Sequence, residues 1–304
     1  MLDNNLGRIV KVFQNEGYLV TLFRLDGSTN LFSVLKKQGA KFDRIVCAGG
    51  DGTLNSTVTG LMQIPDEKRP PIGFIPCGTT NDTGISYDLP SDPLKAAKYA
   101  VTGSAYPTDV GRCGNMYFTY VACFGEISAV SCYTSQMAKQ IFGRASYIAE
   151  GIKAILKLMS YNITVTYDGG KTVSGDYLLG MVSNSKCIGG FYGIPGRDVD
   201  FNDGFFEVTL VKKPSNLQEF SKEIDCMILE PAKYENKPND LVCRFKAKEM
   251  VFEADSEIQW VVDGENAGKH KEITIINENK AVRIVAGEKA RESEKTETVG
   301  AETE

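Results

Sequence analysis

The stretch Ile45-Val46-Cys47-Ala48-Gly49-Gly50-Asp51-Gly52-Thr53-Leu54-Asn55 determines how the first part of the chain is organised. Its apolar start predicts a buried strand, its glycines predict a tight turn, and the spacing over 54–62 predicts a helix. This arrangement suits phosphate, because bare backbone lets oxygens approach and the N–H groups at a helix start point towards them. The motif lacks the Gly-Lys-Ser/Thr of a Walker loop and the third glycine of the dinucleotide fingerprint. Since the Asp51 carboxylate would repel a bare phosphate, we expect a metal ion or an ordered water beside it.

Length and composition exclude several classes of protein. The chain has 304 residues, which is enough for two domains, and its net charge of −5 argues against a nucleic-acid partner. The eight cysteines show no metal-like spacing and no signal peptide precedes them, so we expect reduced thiols in a cytoplasmic protein. A single histidine, His270, argues against a His-ligated metal site or a Ser-His-Asp triad. We find no transmembrane segment, so membrane contact is expected to be peripheral.

Strands and helices alternate in the first third of the sequence. Periodicity predicts helices over 6–16, 30–38 and 93–101, and strands over 18–23, 45–48 and 72–75. This alternation is typical of a parallel sheet covered by helices. After Gly103 a long helical pattern covers 128–160, and strand patterns dominate elsewhere: 106–110, 117–123, 162–167, 177–183, 205–211, 242–247, 249–254, 259–262 and 272–277.

These patterns predict two domains of different class. We expect an α/β domain with a parallel sheet over 1–105 and a β-rich antiparallel sandwich over 106–280. A last strand over 281–287 is a candidate to pack back on the first domain. The tail over 288–304 is rich in Glu, Thr and Lys, and we expect it to be disordered.

Five motifs in order resemble the diacylglycerol kinase catalytic domain, and more closely the bacterial soluble lipid kinases related to the sphingosine kinases. One such motif would be weak evidence, whereas five at matching distances between residues 6 and 286 are strong. The resemblance implies a nucleotide-binding domain like that of phosphofructokinase and NAD kinase, a β-rich lipid-acceptor domain, and an active site in the cleft between them. The motifs are Gly49–Asn55, Gly73–Asp82, Thr108–Gly111, Phe201–Phe206 and Val262–Glu265.

The resemblance implies ATP-dependent phosphorylation of a lipid hydroxyl, with diacylglycerol converted to phosphatidic acid at a membrane surface. Phosphoryl transfer depends mainly on positioning and on neutralisation of charge, so the chain needs a phosphate cradle and a base. Glu265 is implied as the proton acceptor, with Asp263 as its partner in a metal and water network. The implied ATP-binding residues are Gly49, Gly50, Asp51, Gly52, Thr53, Leu54, Asn55, Gly78, Thr79, Asn81 and Asp82.

Magnesium has two expected positions. Asp51 is the best candidate for the ion bound with ATP, either directly or through water. The resemblance implies a second, structural ion held by Asp200, Asp203 and the backbone carbonyl of Phe205, although an ordinary β-turn at 202–204 is an equal alternative. A further segment resembles the part of the family that lines the acceptor cleft, and it includes Asn184, Gly189, Gly190 and Phe191.

The sequence also departs from the family. Its members begin with a strand ending in Asn-Pro-x-Ser-Gly that holds nucleotide phosphates, and the sequence given starts where the following helix should begin. We expect the true start to lie upstream; the alternative is a non-catalytic member that binds nucleotide or lipid. An NAD kinase, which shares Gly-Gly-Asp-Gly-Thr, is a second alternative, and the formation of a homodimer is left open.

Overall fold

The computed structural model describes residues 5–25, 31–125, 159–192, 199–216, 218–219, 222 and 241–287. The predicted helical region 128–160 falls almost entirely outside the described residues, as does the tail 288–304. Contacts divide the chain into two compact units. Unit 1 comprises 1–110, 200–202 and 279–304, and unit 2 comprises 111–199 and 203–278.

Unit 1 is an α/β unit built on parallel strands. Strand β1 (Ile45–Gly49) pairs in parallel with β2 (Ile72–Pro76), in a register that sets Ile45 opposite Ile72 and Gly49 opposite Pro76. On the other side of β2, Ile284 pairs in parallel with Ile72. The helices are α1 (Leu6–Asn15), α2 (Leu31–Gln38), α3 (Asp51–Leu61), α4 (Asp82–Ser86) and α5 (Pro93–Thr102). The α/β class predicted for the N-terminal part is therefore confirmed.

Helix α5 shows how local sequence fixes an element of unit 1. The Asp92 carboxylate accepts the backbone N–H groups of Leu94 and Lys95, and proline occupies the first turn, as in a well-formed N-cap. Arg44 donates to the Ala100 carbonyl at 2.8 Å near the other end of the helix. A Cβ at Gly73 of β2 would lie 2.6 Å from that same carbonyl oxygen, so glycine allows the helix to pack closely on the strand.

Two predictions for unit 1 need correction. The structure assigns no strand to the predicted segment 18–23, although Tyr18 and Val20 pack against the core while Leu19 is fully exposed. A strand exists only where a neighbour accepts its hydrogen bonds, so an alternating pattern alone is insufficient. Helix α3 begins at Asp51, three residues before the predicted start, with Gly50 as its extended N-cap.

Unit 2 is rich in antiparallel strands, as predicted. Strands β3 (Ala105–Cys113) and β13 (Glu265–Val285) run from one unit into the other. The remaining strands are β4 (Met116–Phe118), β5 (Val121–Gly125), β6 (Tyr161–Tyr167), β7 (Lys171–Ser183), β8 (Cys187–Ile188), β9 (Phe191–Tyr192), β10 (Phe206–Lys212), β11 (Val242–Ala247) and β12 (Glu249–Val262). Within unit 2 the antiparallel neighbours follow the order β13, β12, β5, β7, β10 and β11, while β6 pairs with both β12 and β7.

The core of unit 2 is an aromatic cluster enclosed by these strands. The Phe124 ring lies 5.1 Å from the Trp260 ring and 6.1 Å from the Phe252 ring, in tilted and edge-on geometries. The Phe118 and Phe206 rings are 5.2 Å apart. Each of these large rings removes a large apolar area from water, which stabilises the sheet structure.

Two predicted strands form one. The patterns over 272–277 and 281–287 both fall on β13, which continues through Lys280 in the left-handed conformation and ends at Val285. Asp109, fully buried in unit 1, accepts the Lys280 N–H at 2.6 Å and the Asn279 side-chain amide at 3.1 Å. The Thr108–Gly111 motif therefore supports an irregular point in the backbone. None of the described helices is long and apolar enough to cross a bilayer.

Candidate functional site

In unit 1 the predicted nucleotide loops lie side by side. Because β1 and β2 are parallel, the loops that follow them emerge at the same sheet edge. The Cys77 N–H donates to the Gly49 carbonyl at 2.7 Å, which ties the two loops together. A Cβ at Gly78 would lie 2.6 Å from the Gly50 Cα, so the two backbones meet where no side chain would fit.

Asp51 links the first glycine loop to the second. Its Oδ1 accepts the Thr83 N–H at 3.1 Å, and the Thr80 hydroxyl lies 3.5 Å from its Oδ2. The carboxylate is half-buried at the first turn of α3, where the amides of Asp51 and Gly52 have no carbonyl of their own helix to bind. This arrangement fits both parts of the prediction: amides for an anion, and one weakly held carboxylate oxygen for a magnesium ion.

Asn81 shapes the second loop from within. Its Oδ1 accepts the Gly78 N–H at 2.7 Å and its Nδ2 donates to the Gly78 carbonyl at 3.0 Å. Asn81 adopts φ 54°, a left-handed conformation that asparagine tolerates better than most residues. The side chain therefore closes the loop and leaves Thr79, which is exposed, at its tip.

Other predicted nucleotide residues have their side chains occupied elsewhere. The Leu54 side chain is completely buried and Asp82 is 2% exposed, so neither side chain reaches a ligand at the surface. Asn55 Oδ1 accepts the Thr59 hydroxyl on the same helix at 3.3 Å. A Cβ at Gly49 would lie 2.5 Å from the Thr53 Oγ1, so this glycine makes room for the threonine. Sequence reasoning missed Thr80 and Thr83 as partners of Asp51.

In unit 2, a two-residue turn presents Glu265. Val262 pairs with Glu265 across the turn, and Asp263 and Gly264 have φ values of 46° and 89°. Two consecutive left-handed residues are typical of a type I′ hairpin turn, for which an Asp-Gly pair is well suited. Glu265 is exposed at the start of β13.

Asp263 is held by backbone donors from one short segment. Its Oδ1 accepts the N–H groups of Tyr120 at 3.2 Å and Val121 at 2.8 Å, and its Oδ2 accepts the Thr119 N–H at 2.9 Å. These bonds break the predicted strand 117–123 into β4 and β5. They also occupy the carboxylate that was predicted to join a metal and water network. Its role in the structure is to fix the turn that carries Glu265.

The residues predicted to hold a second magnesium have protein partners. Asp200 Oδ1, in unit 1, accepts the Tyr106 hydroxyl and the Asn202 N–H, both at 3.2 Å. In unit 2, Asp203 Oδ1 accepts the Phe205 N–H at 2.9 Å, and its Oδ2 lies 3.0 Å from the Lys246 ammonium. Within the described ranges, no group of three His, Cys, Asp or Glu residues could hold a metal ion.

Lys246 is therefore a competing cation at Asp203. Its ammonium also lies 3.3 Å from Glu207, whose carboxyl is almost fully buried. Burial raises the pKa of Glu207 to about 8 in spite of the nearby Lys246. The Lys246 ammonium thus lies against both carboxylates, and its positive charge opposes the binding of a divalent ion there. The second magnesium stays a prediction, and this ion pair is the arrangement it would have to displace.

The described structure also contains a cavity of about 660 Å³ in unit 2. None of the predicted site residues lines it. Its walls include Ser160, Gly175, Asp176, Lys212, Lys213, Pro214 and Ser215.

Comparisons with known proteins identify the family to which the chain belongs. Residues 2–113 match the diacylglycerol kinase catalytic domain, and residues 123–286 match the YegS C-terminal NAD kinase beta sandwich-like domain. The chain is 30% identical over 270 residues to the diacylglycerol kinase of Bacillus subtilis, covering 88% of this chain and 86% of that protein. It is 32% identical over 228 residues to the enzyme of the same name from Staphylococcus carnosus, covering 75% and 72%.

Solved structures of a diacylglycerol kinase and of an NAD kinase have a similar fold. A diacylglycerol kinase from Bacillus anthracis superposes with a TM-score of 0.71 at 21% identity, covering 95% of this chain and 93% of that one. An NAD kinase from Archaeoglobus fulgidus in complex with ATP gives 0.52 at 14% identity, with coverages of 94% and 91%. The chain belongs to the diacylglycerol kinase family of bacterial lipid kinases.

Proposed function

We propose that this protein transfers the γ-phosphoryl group of ATP to the hydroxyl of diacylglycerol and so forms phosphatidic acid. The observation that carries the proposal is the pair of glycine loops at the ends of β1 and β2, where backbone meets backbone beside the first turn of α3. This is a cradle for a phosphate chain, and it belongs to a chain whose relatives are named for lipid phosphorylation.

Unit 1 would bind the nucleotide. The amides of Asp51 and Gly52 and the positive end of α3 attract phosphate oxygens, and the exposed Thr79 offers a hydroxyl at the tip of the second loop. Asp51 is the residue that would hold magnesium through its weakly bonded Oδ2. Magnesium bound with ATP supplies positive charge against the phosphate oxygens, which is a main requirement of phosphoryl transfer.

Unit 2 would bind the acceptor and supply the base. Glu265 is exposed and ends a turn whose geometry Asp263 fixes through three backbone N–H groups. Its carboxylate would accept the proton of the attacking hydroxyl, a contribution of about 10² to 10⁴ in rate. Asp263 would act through the turn and would not itself touch the substrate.

Two alternatives remain distinct from this proposal. The likeness to an NAD kinase extends to the fold, and an NAD kinase would phosphorylate a ribose hydroxyl. A non-catalytic member would bind ATP with magnesium and phosphorylate no lipid. Assays with labelled ATP against diacylglycerol in mixed micelles and against NAD separate the three outcomes, when combined with a direct measurement of ATP binding.

Replacement of the proposed base tests the mechanism. We expect Glu265→Gln to lower kcat on diacylglycerol by about 10² or more, because the amide cannot accept the proton. ATP affinity, measured by calorimetry, should stay within a factor of two. Glu272→Gln is a matched control, since Glu272 is an exposed carboxylate on the same strand β13. If Glu265→Gln retained most of the activity, the assignment of the base would be wrong.

A further inference from the structure

Tyr120 connects two parts of unit 2, the turn that carries Glu265 and the segment 184–190. It lies in the break between β4 and β5, and its backbone N–H is one of the donors to Asp263. The Tyr120 carbonyl accepts the backbone N–H of Asn184 at 3.1 Å. Its hydroxyl accepts the backbone N–H of Gly189 at 2.9 Å. One residue thus binds both the turn that carries Glu265 and the segment 184–190.

The segment that Tyr120 holds includes two consecutive glycines. Gly189 and Gly190 form the turn of the short hairpin β8–β9, with φ values of 61° and 83°. Glycine pairs lose more backbone entropy on ordering than other residues, so an external anchor has a large effect on such a turn. Asn184, at the other end of the segment, is 1% exposed, and this end is therefore fixed by burial.

The contact at Gly189 differs from a core contact. Tyr120 and Gly189 are both half-buried, whereas Thr119, the neighbour of Tyr120, is 2% exposed. Loss of the hydroxyl would leave an N–H that water can reach, so the fold would tolerate the change. Its effect should appear in the position of the 189–190 turn and not in the stability of the whole unit.

We propose that Tyr120 is a positioning residue for the lipid acceptor: its hydroxyl holds the Gly189–Gly190 turn at a fixed place relative to the turn that carries Glu265. This inference rests on the proposed function. Since segment 184–190 and Glu265 are both tied to Tyr120, an acceptor that binds along the segment is presented to the base in one register. Tyr120 does not itself take part in the transfer of the proton or the phosphoryl group.

The test is Tyr120→Phe in the full chain, assayed with a short-chain diacylglycerol in mixed micelles. We expect the KM for the lipid to rise about fivefold, the size appropriate to one neutral hydrogen bond, with the KM for ATP and the melting temperature unchanged. Hydrogen–deuterium exchange of a peptide covering 187–192 should become faster in the variant. Tyr167→Phe is the matched control, because its ring stacks on Phe245 at 4.3 Å and this contact needs no hydroxyl.

The outcomes distinguish failure of the positioning role of Tyr120 from failure of the proposed kinase function. A lipid KM that stays within a factor of two, or unchanged exchange over 187–192, overturns the positioning role while an active wild-type protein leaves the kinase proposal standing. Equal rises in the KM values for lipid and ATP also overturn it, since they indicate a general structural defect. A wild-type protein that phosphorylates no lipid overturns the proposed function itself, and with it the role of Tyr120.

Discussion

At the residue scale, the reactivity of the Cys77 thiol can be used to test the proposed nucleotide site. It follows β2, is half-buried, and its N–H binds the Gly49 carbonyl. Burial raises the pKa of its thiol, as it does for the half-buried Cys243 in unit 2. The other described cysteines, Cys47, Cys113, Cys123 and Cys187, are buried. Among the described residues no cysteine is paired with another, and the reduced state of the thiols stays a prediction.

We predict that ATP with magnesium slows the reaction of Cys77 with iodoacetamide and leaves Cys243 unaffected. The thiolate is the reactive form, so both cysteines should react more slowly than a free thiol at pH 8, and faster as the pH rises. Peptide mass spectrometry with and without nucleotide measures each rate, and Cys243 is the internal control. Equal protection of both thiols, or protection of neither, would argue against nucleotide binding at these loops.

At the scale of elements, a pair of glycine substitutions distinguishes the packing of the two glycine loops from their proposed role in ATP binding. A Cβ at Gly78 would meet the Gly50 backbone at 2.6 Å, whereas a Cβ at Gly52 meets nothing within 4 Å. We predict that Gly78→Ala destabilises unit 1 by about 1–3 kcal/mol, the usual range for overpacking. Gly52→Ala should leave the unliganded stability unchanged or raise it by up to about 1 kcal/mol, because the added methyl points into open space and alanine favours a helix.

Measurements of urea unfolding and of ATP affinity test this pair. If phosphate approaches the first turn of α3, the methyl of Gly52→Ala will weaken ATP binding without lowering stability. Gly78→Ala should lower both. A Gly52→Ala protein with unchanged ATP affinity would show that the phosphate does not approach this turn.

The same elements show what the sequence could and could not predict. Local patterns predicted β1, β2 and α5 because each depends on neighbours in sequence: a short apolar run, or Asp92 followed by proline. The break at Thr119 could not be predicted, because the carboxylate that accepts its N–H is 144 residues away. The segment 18–23 has a strand pattern but no strand, since pairing depends on a partner elsewhere in the chain.

Prediction of the candidate site divides in a similar way. The glycine loops and the Asp263–Glu265 turn are continuous motifs, and their residue types matched a chemical requirement before any geometry was known. The contacts of Asp51 with Thr83, of Asp203 with Lys246 and of Tyr120 with Gly189 join separate elements. No local pattern in the sequence identifies these partners, because each contact joins residues that are far apart in the chain.

At the scale of the whole molecule, ligand binding should raise the melting temperature of the protein. A ligand that binds only the folded protein stabilises it by ~2.7 kcal/mol at a hundred times its Kd, so ATP with magnesium should raise the melting temperature by several degrees. Magnesium alone should not raise it, because Lys246 already neutralises Asp203 at 3.0 Å. Differential scanning fluorimetry with EDTA, magnesium, and magnesium with ATP makes this measurement.

Two variants complete the measurement. Glu265→Gln should show the same shift with ATP as the wild type, since Glu265 lies in unit 2 and we propose that unit 1 binds the nucleotide. A shift caused by magnesium alone and lost in Asp203→Asn would instead establish the second ion at Asp203, with the ammonium displaced.

The path of β13 has a consequence for the synthesis of the protein. Ile72 of β2 pairs with Ile284, and unit 1 draws its last strand from residues after 278. A ribosome finishes β2 more than two hundred residues before it supplies that partner. The sheet of unit 1 therefore cannot be completed while the chain is still growing through unit 2, and the nascent N-terminal part exposes an unfilled strand position for most of translation. Until β13 has been made, this unfilled strand position can pair with a strand of another chain.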